Sequence, residues 1–108
     1  MVNAAAKGRR NERKAQKILE EQGYAVQLTQ PGTRFQKDKD LFNLWDLIAV
    51  SEEEVRFIQV KSNRRVYGKE KRKYQDFVCP DFCTKEIWSI YDRKKEPVIT
   101  TLDSHLVL

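Results

Sequence analysis

Leu44-Trp45-Asp46-Leu47-Ile48-Ala49-Val50, followed after a short acidic break by Val55-Arg56-Phe57-Ile58-Gln59-Val60-Lys61, is the stretch on which the fold turns. The first segment is almost continuously apolar, as expected of a central strand buried on both faces, and Glu52-Glu53-Glu54 supplies a polar turn. The second segment then returns, most simply as its hairpin partner. Asp46 interrupts the apolar run, and a lone carboxylate there is expensive to desolvate unless it is paired or bound to a metal. Side chains alternate along the second segment, so Val55, Phe57, Gln59 and Lys61 share one face while Arg56, Ile58 and Val60 share the other. Gln59 and Lys61 therefore point the same way, toward the sheet end that Asp46 faces if the two segments pair.

Upstream, residues from about Arg9 to Gln22 place Ala15, Ile18 and Leu19 at helical spacing among charged neighbours, and Gly23 is a natural stop. Tyr24 to Thr29 alternates as a strand until Pro31-Gly32 breaks it, and a loop rich in Lys and Asp runs on to about Leu41. Downstream, Lys69 to Val78 reads as a second helix with Tyr74, Phe77 and Val78 at helical spacing. Lys85 to Tyr91 and Pro97 to Leu102 read as strands around a turn at Asp92 to Glu96. The order α-β-β-β-α-β-β predicts an α/β (α+β) fold, a small mixed sheet of about five strands flanked by helices. Trp45, Trp88, Phe82 and Ile87 read as core or interface residues. With 108 residues there is room for one domain, spanning 1–108, with a small core beneath a heavily charged surface.

The net charge is +5, and its distribution is uneven. Lys61, Arg64, Arg65, Lys69, Lys71, Arg72 and Lys73 form one basic run against Glu70 alone, and Lys7, Arg9, Arg10, Arg13 and Lys14 form another against Glu12. Such stripes suit a polyanion, although charged runs also serve simply as solvated faces. Tyr67 and Tyr74 are interleaved with the cations and could stack on exposed bases, packing being the simpler job for each. Cys79 and Cys83 are four apart and the single histidine, His105, is distant, so free thiols are expected rather than a zinc site. The Ala4 to Ala6 run is no apolar leader, and no stretch approaches the length of a membrane span, so a cytoplasmic, membrane-free protein is expected.

An acidic oxygen, an amide oxygen and an ammonium gathered at one sheet end suit metal-assisted phosphodiester hydrolysis. Mg²⁺ takes hard oxygen ligands, which Asp46, the Gln59 amide and the Val60 carbonyl can offer, and Lys61 can orient a water or balance charge on the phosphorane. Glu12, seven residues before Leu19, lies about 20° from it around the helix and so borders the buried stripe. It can lean inward, or serve as an ordinary first-turn glutamate.

Gly8-Arg9-Arg10-Asn11-Glu12, Asp46 in its apolar strand and Gln59-Val60-Lys61 together resemble the PD-(D/E)XK nuclease superfamily, and within it the archaeal-type Holliday-junction resolvases. The resemblance runs over Lys7 to Lys61 and less specifically to Leu102. It implies a restriction-endonuclease-like fold and a Mg²⁺- or Mn²⁺-dependent endodeoxyribonuclease that needs no small-molecule cofactor and acts on DNA, branched DNA included, in recombination and repair. By position it gives metal-holding roles to Glu12, Asp46 and Gln59 and the water-assisting role to Lys61. It makes Thr33 and Arg34 phosphate contacts; if the sheet end is the active site, the two basic runs border it and make Arg9, Arg10, Arg13, Arg64, Arg65, Lys69, Lys71 and Arg72 the candidate DNA-binding cations. Because a resolvase cuts two strands symmetrically, it also implies a homodimer. Trp45 stands where the superfamily has proline, and Gln59 where it has an acid, so the site reads as a QxK variant. The alternatives from other classes are a non-catalytic nucleic-acid-binding module on a degenerate nuclease fold and a structural or protein-binding domain.

Overall fold

The computed structural model describes residues 4–29, 42 and 44–102, with side chains from Ala6 onward. Helix α1 (Ala4–Glu21) leads into strand β1 (Ala25–Leu28), followed by β2 (Leu47–Val50), β3 (Val55–Ser62), helix α2 (Gly68–Gln75), β4 (Cys83–Ile90) and β5 (Val98–Leu102). The five strands form one mixed sheet in the order β1-β2-β3-β4-β5, parallel only between β3 and β4 and antiparallel elsewhere. This is the expected α+β fold in the expected order of elements. The β2–β3 and β4–β5 pairs are short antiparallel connections, whereas the parallel β3–β4 pair requires a crossover, which carries α2.

Period-2 alternation sends the two faces of the sheet into separate cores. Leu47, Ala49, Ile58, Val60, Trp88 and Ile90 meet Ala15 and Leu19 of α1, while Trp45, Phe57 and Ile87 meet Val66, Tyr74 and Leu102 on the other face. Trp45, Trp88 and Ile87 are core residues, as one of the two expected roles has it; Phe82 is 59% exposed and is not core, which leaves for it the interface role. Helix α1 begins earlier than the apolar spacing suggests, at Ala4, in keeping with alanine being the best helix former. It ends as expected at Gly23, whose φ of +97° is tolerable only without a side chain, and the Tyr24 N–H donates back to Leu19 O at 3.1 Å. Gly23→Ala should therefore cost about 1 kcal/mol, read as a shift in the urea midpoint at unchanged slope, even though space for the methyl is open.

Three sequence expectations need correction. Trp45 and Asp46 precede β2 rather than lying within it, and Asp46 occupies a bend. Nor is β2 buried on both faces, since Val50 is exposed and Ile48 half-buried; the strand buried over its longest run is β4, from Lys85 to Ile90. Helix α2 stops at Gln75 instead of reaching Val78, because the Lys85 ammonium, itself only 2% exposed, takes the Gln75 and Phe77 carbonyls from below. Among the described residues no helix is long and apolar enough to cross a membrane.

Candidate nuclease site

The β2–β3 register places Leu47 opposite Ile58, and one residue further on the ladder gives way to a side chain. The Asp46 N–H donates to Ile58 O at 3.0 Å, and the Val60 N–H donates to Asp46 Oδ2 at 2.9 Å. Asp46 thus holds β3 on both sides of Gln59, its carboxylate replacing the carbonyl that a continuing strand would have offered. This explains how a carboxylate only 7% exposed is tolerated beside an apolar strand. Val60, expected to offer its carbonyl to a metal, enters this geometry through its N–H.

Gln59 is 8% exposed, and its Oε1 has no hydrogen-bond partner among the described residues. It shares a face with Phe57 and Lys61, on the α2 side of the sheet. In the parallel register with β4, Lys61 lies beside Ser89, a fully buried serine whose Oγ likewise has no partner among the described residues. Two buried polar atoms without a partner among the described residues therefore lie on one face, near the same lysine. Lys61 itself is 15% exposed, with its Nζ 3.6 Å from Glu70 of α2. Glu70 also takes two hydrogen bonds from Arg64, which, with Lys61 nearby, hold its carboxyl down to about 2.

Glu12 belongs to the other layer of the fold, at the same end of the sheet. It forms an ion pair with Arg9 at 3.1 Å, with both side chains largely buried. Arg9 also donates to Thr29 O at 3.1 Å, and the Thr29 N–H donates to Asp46 O at 3.0 Å. A continuous chain of polar contacts therefore runs from Glu12 through Arg9 and Thr29 to Asp46. Beside it, Asn11, 7% exposed, donates to Ser62 Oγ at 2.7 Å and fixes α1 over the end of β3. Asp46 thus accepts the Val60 N–H between Gln59 and Lys61, those two share the α2-side face, and Glu12 reaches Asp46 from the α1 layer only through Arg9 and the Thr29 backbone. Among the described residues no group of three or more His, Cys, Asp or Glu side chains gathers closely enough to hold a metal.

The expected DNA contacts divide by exposure. Arg10, Arg13, Arg64, Arg65, Lys69 and Arg72 face solvent, Lys71 is half-buried, and Arg9 is engaged with Glu12 and Thr29. Thr33 and Arg34 lie outside the described residues. Of the two tyrosines among the cations, Tyr74 is core, packed on Trp45, while Tyr67 is 70% exposed. Cys79 and Cys83 are free and half-buried; burial, and then the neighbouring Cys83, push the Cys79 thiol up to about 12, which makes it a poor nucleophile. A surface cavity of about 390 Å³ lined by Ile18, Gln22, Lys95, Glu96, Pro97 and Ile99 opens on the α1 face, opposite Gln59 and Lys61, and is no part of this site.

Sequence reasoning missed Thr29, Ser89 and Glu70. Ser89 stood out as the one polar residue in Ile-Trp-Ser-Ile, and Glu70 as the one acid in the second basic run. Thr29 carried no such signal, because it acts through its backbone. No family model, no curated protein and no solved structure matches this chain.

Proposed function

We propose that this chain is a metal-dependent DNA endonuclease of the structure-selective, Holliday-junction-resolvase-like kind, working as a homodimer. The observation that carries this reading is Asp46, whose N–H and carboxylate hold β3 on either side of Gln59, a residue whose buried amide oxygen has no partner among the described residues and whose strand neighbour on the same face is Lys61. The donor set fits a hard divalent cation. Carboxylate and amide oxygens are what Mg²⁺ and Mn²⁺ prefer, and an orphaned buried acceptor is satisfied by a cation or its water. Asp46, Gln59 and the Val60 carbonyl would hold it, and Glu12, in the α1 layer and paired with Arg9, would join them only on leaving Arg9; when bound, the cation supplies Lewis-acid stabilisation of the phosphoryl oxygens.

The chain's own groups do the remaining work. The Asp46 carboxylate is oriented before any ligand arrives, because the Val60 N–H fixes one of its oxygens. Lys61 donates to phosphate oxygen or to the attacking water and balances the charge that builds up during attack. The exposed cations of α1, α2 and the 63–67 link grip backbone phosphates, giving affinity that falls steeply with salt and reads DNA by structure. The test is a cleavage assay on a four-way junction, a flap, linear duplex and RNA, each with Mg²⁺, Mn²⁺ or EDTA. Cutting that requires metal and prefers the junction is expected; no cutting of any substrate in either metal would end the proposal.

A second reading is favoured by one observation: the neutral Gln59 leaves the site without a cluster of three acids among the described residues. On that reading the domain binds nucleic acid and does not cut. Gln59→Glu separates the two. For an active variant site it should lower the Mg²⁺ concentration needed for half-maximal cleavage by about tenfold, since carboxylate charge sets affinity for such cations. Cleavage that appears only in the Gln59→Glu protein would instead establish the binding module.

A further inference from the structure

Two cations from different elements converge on one carboxylate beside Lys61's end of the sheet. Arg64, in the link after β3, sends Nη1 to one oxygen of Glu70 at 2.8 Å and Nη2 to the other at 3.1 Å. Lys61 Nζ, from β3, lies 3.6 Å from the same carboxylate. Glu70 is the only acid between Lys61 and Lys73, so the anion at the centre of this basic run is supplied by the run itself. The two-pronged fit of a guanidinium to two oxygens is the one it also makes to a phosphodiester. Arg64 is half exposed and Glu70 about one-third exposed, so solvent and ligands reach the pair, and ion pairs of this kind contribute little to stability. Nothing in the core depends on Glu70 remaining where it is.

We propose that Lys61 and Arg64 form a single-phosphate subsite for the DNA backbone, which Glu70 fills with its own carboxylate in the free protein. The subsite rests on the DNA-binding half of the function above and not on cleavage. Binding exchanges carboxylate for phosphate at Arg64 and Lys61, and Glu70 turns out to solvent from the first turn of α2. The phosphate so held lies next to Lys61 and hence near Gln59, two residues back on the same strand face. The subsite therefore sets which phosphate along the strand approaches Asp46, and the internal carboxylate makes weak, non-specific contacts less favourable than a fully seated backbone.

The experiment measures affinity for a fluorescent duplex of about 20 base pairs, without divalent metal, across a salt series, for the wild type, Glu70→Gln, Glu70→Gln/Arg64→Ala and a remote control, Glu53→Gln. Glu53 is exposed in the β2–β3 turn, at the opposite end of the sheet. Glu70→Gln is expected to bind about three- to tenfold more tightly at 0.1 M salt and to steepen the salt slope by about one, as cations released from Glu70 gain phosphate. Removing Arg64 as well should abolish that gain, and Glu53→Gln should change affinity less than twofold, about the size of a distant screened charge. Circular dichroism and the melting temperature establish that each variant is folded. A folded Glu70→Gln protein with unchanged or weaker binding, a gain matched by Glu53→Gln, or no DNA binding at any salt would each overturn the subsite. Binding as described without cleavage would overturn only the nuclease reading.

Discussion

Asp46→Asn is expected to lower DNA cleavage by about a thousandfold or more while leaving DNA binding no weaker than in the wild type. The substitution is suited to the question because Asn retains an oxygen that can accept the Val60 N–H, so the bend and the β3 ladder survive. It removes the charge and replaces the second oxygen by an NH2 group that cannot ligate a cation. With Gln59 neutral, Asp46 is the carboxylate hydrogen-bonded to the strand between Gln59 and Lys61, and on the proposed reading its charge carries most of the attraction for the cation. Cleavage rates in Mg²⁺ and Mn²⁺, measured beside DNA affinity and circular dichroism on the same preparation, decide the matter. Cutting by Asp46→Asn at near wild-type rates would mean that the chemistry resides elsewhere.

Removing Glu86 should cost more stability than any surface change. Its carboxylate accepts two hydrogen bonds from Arg56, at 2.8 and 2.6 Å, and others from Thr84 and from Trp88 Nε1, while its side chain is 4% exposed. Glu86→Ala strands the largely buried guanidinium of Arg56 between Tyr24 and Trp88, an outcome that typically costs about 3–5 kcal/mol. A domain stable by about 5–15 kcal/mol loses a large share of that margin. Replacing both partners together, by Arg56→Met with Glu86→Leu, should recover most of the loss; urea denaturation of the single and double variants makes the comparison. An Ala variant within about 1 kcal/mol of wild type would show that the pair matters little.

The same pair sets an acid sensitivity. Burial by itself pushes the Glu86 carboxyl up, but the hydrogen bonds from Arg56, Thr84 and Trp88 outweigh it and hold the group below its ordinary 4.5. A group with a lowered folded value contributes its full stabilisation above the unfolded value and loses it as the pH falls toward the folded one. The urea midpoint of the wild type should therefore decline below about pH 4.5, and that of the Arg56→Met/Glu86→Leu protein should decline less.

By itself the sequence determined the elements and their order, because each is written in a local period: Ala15, Ile18 and Leu19 at helical spacing, Val55 to Lys61 alternating, and Gly23 where only glycine allows the turn. It also put Gln59 and Lys61 on one face, since alternation is local, and it singled out Asp46 by the cost of a charge in an apolar run. Only the tertiary structure decided what those residues meet. Asp46 was legible as an anomaly, but its place in a bend, accepting the Val60 N–H, depends on how β2 and β3 register beyond their last paired residues. The Glu12 to Asp46 connection passes through a backbone carbonyl and N–H of Thr29, groups every residue carries and no pattern reveals. Arg56 with Glu86, Lys61 with Glu70 and Lys85 with the end of α2 all join residues whose separation along the chain follows no period. Such contacts arise when elements pack together in three dimensions, β3 beside β4 at about 4.8 Å and α2 against their face, and burial then fixes which charges pair.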